Sequence, residues 1–227
     1  MNPGSHERII SFLLTLFIAG TTPAYCAPDV SSDGLLRDHL FKTLIQLPKD
    51  KRPRTGIVFS AGSLRATTHV GVAYALENAD FPLDVVAGTS MGAIMGSLYA
   101  AGLPIRRIWE KASTIKIDTG SNLNTFSLLR LVLTDKLLSS EETEKFVRRE
   151  LGNKRFEDLP KPFACVAMDL HTGEAVIFRE GEVAPAVRAS MNLPGIFEPV
   201  EYRHRMLVDG GVVDYIPVDA ARLLKAD

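Results

Sequence analysis

Leu83-Asp84-Val85-Val86-Ala87-Gly88-Thr89-Ser90-Met91-Gly92-Ala93-Ile94-Met95-Gly96-Ser97-Leu98-Tyr99-Ala100-Ala101 is the stretch that decides the fold class. Its first five residues are apolar and β-branched at the centre, the pattern of a buried strand. Ala93 to Ala101 are mostly helix formers. Between them lies Gly88-Thr89-Ser90-Met91-Gly92, a G-x-S-x-G pentapeptide. A serine on such a strand-to-helix turn stands exposed on a tight elbow. Gly88 and Gly92 let the backbone bend and pack where a Cβ would clash. The following helix points its positive end at Ser90 and favours negative charge there. This is the layout of a serine nucleophile. The bare pentapeptide is common by chance; its strand–turn–helix setting gives it weight.

The same alternation continues on both sides. Thr55-Gly56-Ile57-Val58-Phe59-Ser60 reads as the first core strand, and a helix follows over about 68–79. Pro104 opens another helix through Ile108 and Trp109. Residues 140–151 form a charged amphipathic helix that Ser140 and Glu141 are placed to open. Residues 163–169 and 174–179 are strands joined by a turn at His171-Thr172-Gly173, and Val183 to Met191 is helical. Met206-Leu207-Val208 is a short strand ending in Asp209-Gly210-Gly211, and Pro217 to Lys225 closes the chain as a helix. Strands alternating with helices predict an α/β fold with a mainly parallel sheet. Ser60, Ser90 and Asp209 fall at carboxyl ends of strands, where such sheets gather functional residues.

The chain has 227 residues, 46% of them hydrophobic, enough for one domain with a real core. A net charge of −1 carries no electrostatic footprint of nucleic-acid binding. Neither a Cys/His cluster of zinc spacing nor a phosphate-binding glycine motif occurs.

The N-terminus reads as a signal peptide over residues 1–26. Arg8 precedes an apolar run from Ile9 to Ala19, short for a bilayer span but of the length of a signal-peptide core. Ala24-Tyr25-Cys26 offers a small-residue cleavage site before Ala27; an uncleaved anchoring helix is the alternative. The expectation is export, to the periplasm or outside the cell. Residues 27–54 read as a linker carrying a short amphipathic helix, with Leu36, Leu40, Leu44 and Leu47 at helical spacing. Residues 55–227 read as the functional domain. With Cys26 removed, Cys165 is alone, and its apolar strand makes it an inert core thiol.

A serine hydroxyl needs a base. Histidine is the usual one, and the serine–acid–histidine order allows a Ser90, Asp169, His204 triad. Asp209 is the competing base: it ends a strand, and two glycines follow it, as where another backbone approaches closely. An ordinary turn aspartate is the alternative reading for Asp209.

Five segments in order resemble the patatin-like phospholipase family, bacterial branch. Ser60-Ala61-Gly62-Ser63-Leu64-Arg65-Ala66 with His69-Val70-Gly71-Val72 resembles the family's glycine-rich oxyanion loop, and Gly88 to Gly92 its nucleophile elbow. Phe156-Glu157-Asp158-Leu159-Pro160, running on to Ala167-Met168-Asp169-Leu170, resembles a family strand region. Ala186-Val187-Arg188-Ala189-Ser190-Met191 with Leu193-Pro194-Gly195 and Phe197 resembles the A-x-R-A-S-x-x-x-P-G-x-F block. Val208-Asp209-Gly210-Gly211 with Ile216-Pro217-Val218 resembles the D-G-G block.

The resemblance implies a three-layer α/β/α fold and a Ser–Asp dyad without histidine. Ser90 is then the nucleophile and Asp209 the base. Gly62, Ser63 and Leu64 supply the oxyanion hole, supported by Arg65, Gly88, Gly92, Gly210 and Gly211. It implies phospholipase or lipid-esterase activity on acyl esters, peripheral contact with a membrane or lipid aggregate, and no metal or cofactor. An aspartate, with a reference pKa of about 4, serves as base only where a water-poor site raises it.

Ala61, Ser63 and Ala66 stand where the family has glycine, and Asp214 where it often has asparagine. Any of the former positions needing φ > 0 is strained by roughly 1–2 kcal/mol. A weakened loop is the argument for the alternative of a lipid- or partner-binding module. The chain stops at Lys225-Ala226-Asp227, where members of the family continue into another strand; this is the pattern of a truncated domain. Leu123 to Leu138 is strongly apolar. It reads either as an acyl-chain wall or lid, or as an ordinary core helix. Arg65 and Arg188 are placed to steady the loop or attract a lipid phosphate, or are ordinary structural arginines.

Overall fold

The computed structural model describes residues 32–63, 65, 68–114 and 139–227. The signal-peptide reading, Leu64, Ala66 and the leucine-rich stretch Leu123–Leu138 lie outside these residues. Helix α1 (Ser32–Gln46) accounts for the amphipathic segment; none of its side chains is buried, and Lys42 pairs with Asp38 one turn away at 2.7 Å. All but its last two residues belong to a separate unit ending at Leu44, and Ile45–Asp227 forms the other. Among the described residues no helix is long and apolar enough to cross a membrane.

The second unit runs β1 (Gly56–Phe59), α2 (Thr68–Asn78), β2 (Val85–Thr89), α3 (Met91–Ala100), α4 (Ile105–Thr114) and α5 (Glu141–Leu151). It continues with β3 (Phe163–Asp169), β4 (Ala175–Phe178), α6 (Val183–Ser190), β5 (Val200–Tyr202), β6 (Arg205–Asp209) and α7 (Val218–Leu223). The expected α/β architecture is borne out. β1, β2 and β3 are parallel, β4 and β6 each pair antiparallel with β3, and β5 pairs antiparallel with β6 and so runs in the direction of β3.

Side chains alternate across the sheet and build a core on each face. Phe59, Val86, Phe163, Cys165 and Ala167 pack under α3 and α6 with Met95, Leu98, Val183 and Val187. Ala87, Ala164 and Val166 pack on the opposite face against Ala220 and Ala221 of α7. Cys165 is fully buried, and burial pushes its thiol well above the usual range, so it is chemically inert. At the amino ends of β1 and β2, Arg52 forks onto Asp84 at 2.5 and 2.9 Å, and Thr55 N–H donates to the same carboxylate at 3.0 Å. The Arg52 hydrogen bonds hold the Asp84 carboxyl well below the usual range.

The register around β3 positions the site. Val166 pairs with Thr89 of β2 and with Ile177 of β4; Ala167 pairs with Val176 of β4 and with Asp209 of β6. A strand has two edges, so β4 occupies one and β2 and β6 share the other. β2 runs parallel to β3 and β6 antiparallel. The two therefore meet head-on, carboxyl end to carboxyl end, at the Val166–Ala167 step. Ser90 is the residue after β2 and Asp209 the last of β6.

Candidate active site

Ser90 leaves β2 at φ 58°, ψ −127° and opens α3. A side-chain-bearing residue held there stores about 1–3 kcal/mol of strain. Two close approaches enforce it. A Cβ on Gly88 would overlap the Gly92 carbonyl, and one on Gly92 would overlap the carbonyls of Phe59 and Ser60. The elbow is thus pinned against the end of β1, with the amino end of α3 beneath Ser90.

Ser90 Oγ donates to Asp209 Oδ2 at 2.6 Å. Asp209 Oδ1 accepts the Gly211 N–H at 2.7 Å. Gly210 sits so close to β3 that a Cβ there would overlap the Val166 carbonyl. The chain can thereby turn sharply after Asp209 and offer the Gly211 N–H. Asp209 is only 2% exposed. Burial raises its pKa above the ordinary aspartate range, opposed by the hydrogen bonds from Ser90 and Gly211. A carboxylate so placed holds a proton more firmly than one in water and is the better base for it.

The Ser90, Asp169, His204 grouping is not brought together. Arg203 and His204, at φ 46° and 64°, are the two-residue turn between β5 and β6. His204 is therefore at the far end of β6 from Asp209, about 17 Å along the strand. Asp169 is a turn cap: its Oδ1 accepts His171 N–H at 2.9 Å and its Oδ2 takes Arg205 at 3.2 Å.

The loop after β1 is stitched to the Asp209 segment. Ala61 N–H donates to Tyr215 O at 2.9 Å. A Cβ on Gly211 would come within 2.9 Å of the Ala61 methyl, so the residue that replaces a family glycine fills space left by another glycine. Ser60 Oγ shares a 3.1 Å hydrogen bond with His69 Nε2 on α2 and also bonds the Ala61 carbonyl at 3.0 Å. Burial holds His69 below the usual histidine range, a neutral ring bracing the loop. Arg65 N–H closes a turn on Gly62 O at 3.0 Å, and the Arg65 side chain is exposed. The Ala61 N–H, used by Tyr215 O, is thereby withdrawn as a donor to the site.

Ser63 does adopt a left-handed conformation, φ 49°, whereas Ala61 keeps a negative φ. The glycine-to-serine change is therefore the strained one. Ser63→Gly is expected to stabilise the protein by ~0.5–1 kcal/mol, read as a higher denaturation midpoint in urea with unchanged slope. Ala61→Gly is expected to give no such gain.

Three contributors were not singled out by the sequence reading. Ser190, at the end of α6, accepts the Ser90 N–H at 2.9 Å and donates to Val166 O at 2.6 Å. Asn192 O accepts the Asp209 N–H at 2.9 Å. Ser140, expected to cap α5, makes no side-chain cap; its hydroxyl donates to Asn192 Oδ1 at 2.6 Å instead. Ser190 lies inside the A-x-R-A-S block, and that was the one signal available. Nothing local in the sequence says what the hydroxyl bonds. Arg188, from the same block, donates to Ser140 Oγ at 3.1 Å and to Glu144 at 3.3 Å, a structural role.

A family model described as patatin-like phospholipase matches residues 57–222. An uncharacterized NTE family protein of Mycobacterium tuberculosis is 34% identical over 179 residues, covering 77% of this chain and 47% of that protein. Lysophospholipase nte1 of Aspergillus fumigatus is 32% identical over 172 residues, covering 76% of this chain and 11% of that protein. The chain thus spans about half the length of the first relative and a small part of the second. Among solved structures, VipD from Legionella pneumophila superimposes with a TM-score of 0.49 at 14% identity, covering 78% of this chain and 53% of that one.

Proposed function

The chain belongs to the patatin-like phospholipase family, and on that premise we propose that it hydrolyses lipid acyl esters with Ser90 as nucleophile and Asp209 as its base. The observation that carries this reading is the 2.6 Å hydrogen bond from Ser90 Oγ to a buried Asp209 carboxylate, made from a strained elbow. Ser90 Oγ attacks the ester carbonyl as Asp209 takes its proton. The backbone N–H groups of Gly62 and Ser63 stabilise the tetrahedral oxyanion. The C–O bond to the alcohol breaks, and the alcohol leaves with the proton from Asp209. Water then attacks acyl-Ser90 and gives its proton to Asp209, which returns it to Ser90 Oγ as the fatty acid departs. Asp209 must be ionised to start the cycle. Activity therefore falls as pH drops through its raised pKa, and the acid limb lies above that of an ordinary aspartate.

The substrate class is tested by an acyl-chain series of p-nitrophenyl esters. Each CH₂ buried from water contributes about 0.8 kcal/mol, so kcat/KM is expected to climb roughly fourfold per carbon until the pocket is full. Acetate as good as octanoate would remove lipid from the reading and leave a general esterase.

The product is proposed to act after export, at a membrane or lipid-aggregate surface in the periplasm or outside the cell. Terminal sequencing of the native protein is expected to start near Ala27. Residues 1–20 retained on the purified protein would support a membrane anchor instead.

A further inference from the structure

We propose that residues 190–192 are the positioning element of the dyad, the Ser190 hydroxyl fastening the nucleophile and Asn192 the base. The inference rests on the Ser90–Asp209 reading. Its origin is the head-on meeting of β2 and β6. Where β2 turns away at Ser90, the β3 edge would lose a ladder partner at the Val166 carbonyl. Ser190 Oγ fills that place: it donates to Val166 O at 2.6 Å and accepts the Ser90 N–H at 2.9 Å. One hydroxyl thus ties the strained elbow to β3, the strand on which Asp209 of β6 is paired. Two residues on, Asn192 O takes the Asp209 N–H at 2.9 Å.

That carbonyl is itself held. Asn192 Nδ2 donates to Glu198 O at 2.7 Å, and Asn192 Oδ1 accepts Ser140 Oγ at 2.6 Å. Ser140 in turn receives Arg188 Nε at 3.1 Å, and Arg188 pairs with Glu144 of α5 at 3.3 Å. Ser190 and Asn192 are fully buried and Ser140 nearly so. Such a connected and satisfied polar chain specifies geometry, because each alternative leaves a buried group unpaired. It also has a consequence for the reaction. The Ser90 N–H is occupied by Ser190 and is not an oxyanion donor.

Ser190→Ala leaves the Ser90 N–H and Val166 O without their partner while adding no bulk. In the full chain, with folding checked by thermal melting, kcat is expected to fall about 10–100-fold, with KM within about twofold of wild type. Loosening the Ser90–Asp209 hydrogen bond also removes an influence that lowers the Asp209 pKa, so the acid limb of kcat is expected to move to higher pH. The other groups acting on Asp209 are burial and the Gly211 N–H. Arg188 and Glu144, at the outer end of the chain of bonds, pair with each other. A lower melting temperature with wild-type kcat and an unmoved limb would make Ser190 merely structural and overturn the proposal. Should S190A not fold, Ser140→Ala reads the same limb through Asn192: an upward shift supports the positioning element, and no shift overturns it. Asp209→Asn measured alongside separates the two levels, because an active D209N refutes the dyad itself whatever S190A does.

Discussion

Asp209→Asn is expected to lower kcat/KM by about three to four orders of magnitude while leaving the protein at least as stable as wild type at pH 7. The two halves of this result have one cause. Asp209 is buried, and its folded pKa is raised above the unfolded value. A group with that sign contributes most to stability below its unfolded pKa and loses the contribution as pH rises through the folded one. At pH 7 the native protein carries a desolvated carboxylate at a cost in stability. Asparagine removes the charge, its Oδ1 still accepts the Gly211 N–H, and its amide can face Ser90 Oγ. It cannot take the proton. Parallel ester-hydrolysis assays and thermal melts at pH 5 and 7 read this directly, with any wild-type advantage in stability expected only toward the acid side. His204→Ala, a change in a hairpin turn at the other end of β6, is expected to keep most of the activity.

Gly92→Ala is expected to be the most damaging conservative change outside the dyad. A Cβ there meets the carbonyl oxygens of Phe59 and Ser60, rigid backbone at the end of β1 rather than the tip of a side chain. Relief requires α3 to move off the sheet or the Ser90 elbow to relax, and either move separates Ser90 from Asp209. The expected cost is about 3 kcal/mol or more, a fall in Tm of about 6–12 °C, with activity lost even in the fraction that folds. Gly71→Ala on α2 is the control, since a Cβ there meets nothing within 4 Å. It is expected to be neutral or to stabilise by up to about 1 kcal/mol. Equal melting temperatures for the two variants would mean that the elbow is not pinned by β1.

What the sequence could and could not disclose follows from which interactions are local. The strand–turn–helix at Ser90 was legible because an apolar strand, a G-x-S-x-G and a run of helix formers occupy consecutive residues. Asp209 was legible as a candidate because its two glycines adjoin it. The meeting of β2 and β6 on one edge of β3 was not, since register is set by pairing between segments far apart in the chain. β5 was missed for a related reason. Val200-Glu201-Tyr202 is too short to show a period, and its hairpin turn is made by Arg203 and His204 in left-handed conformations with no glycine to mark it. Ser140 illustrates the limit of local rules. It stands where a cap is expected, ahead of Glu141 and Glu142, yet its hydroxyl is drawn to Asn192 across the core. The loop after β1 was half legible. The substitutions at Ala61 and Ser63 are visible in the sequence, but only the backbone shows that of these two it is Ser63 that bears strain.

Activation of a Ser90 nucleophile by Asp209 is probed without intermediaries by fluorophosphonate labelling of intact protein. Peptide mass spectrometry would locate the adduct, with S90A, D209N and H204A run beside wild type. Stoichiometric labelling is expected on the peptide carrying Ser90 in wild type and in H204A. None is expected on that peptide in S90A, and labelling slowed about a hundredfold or more in D209N. Wild-type protein that is folded yet unlabelled at Ser90, or D209N labelled as fast as wild type, would contradict that activation.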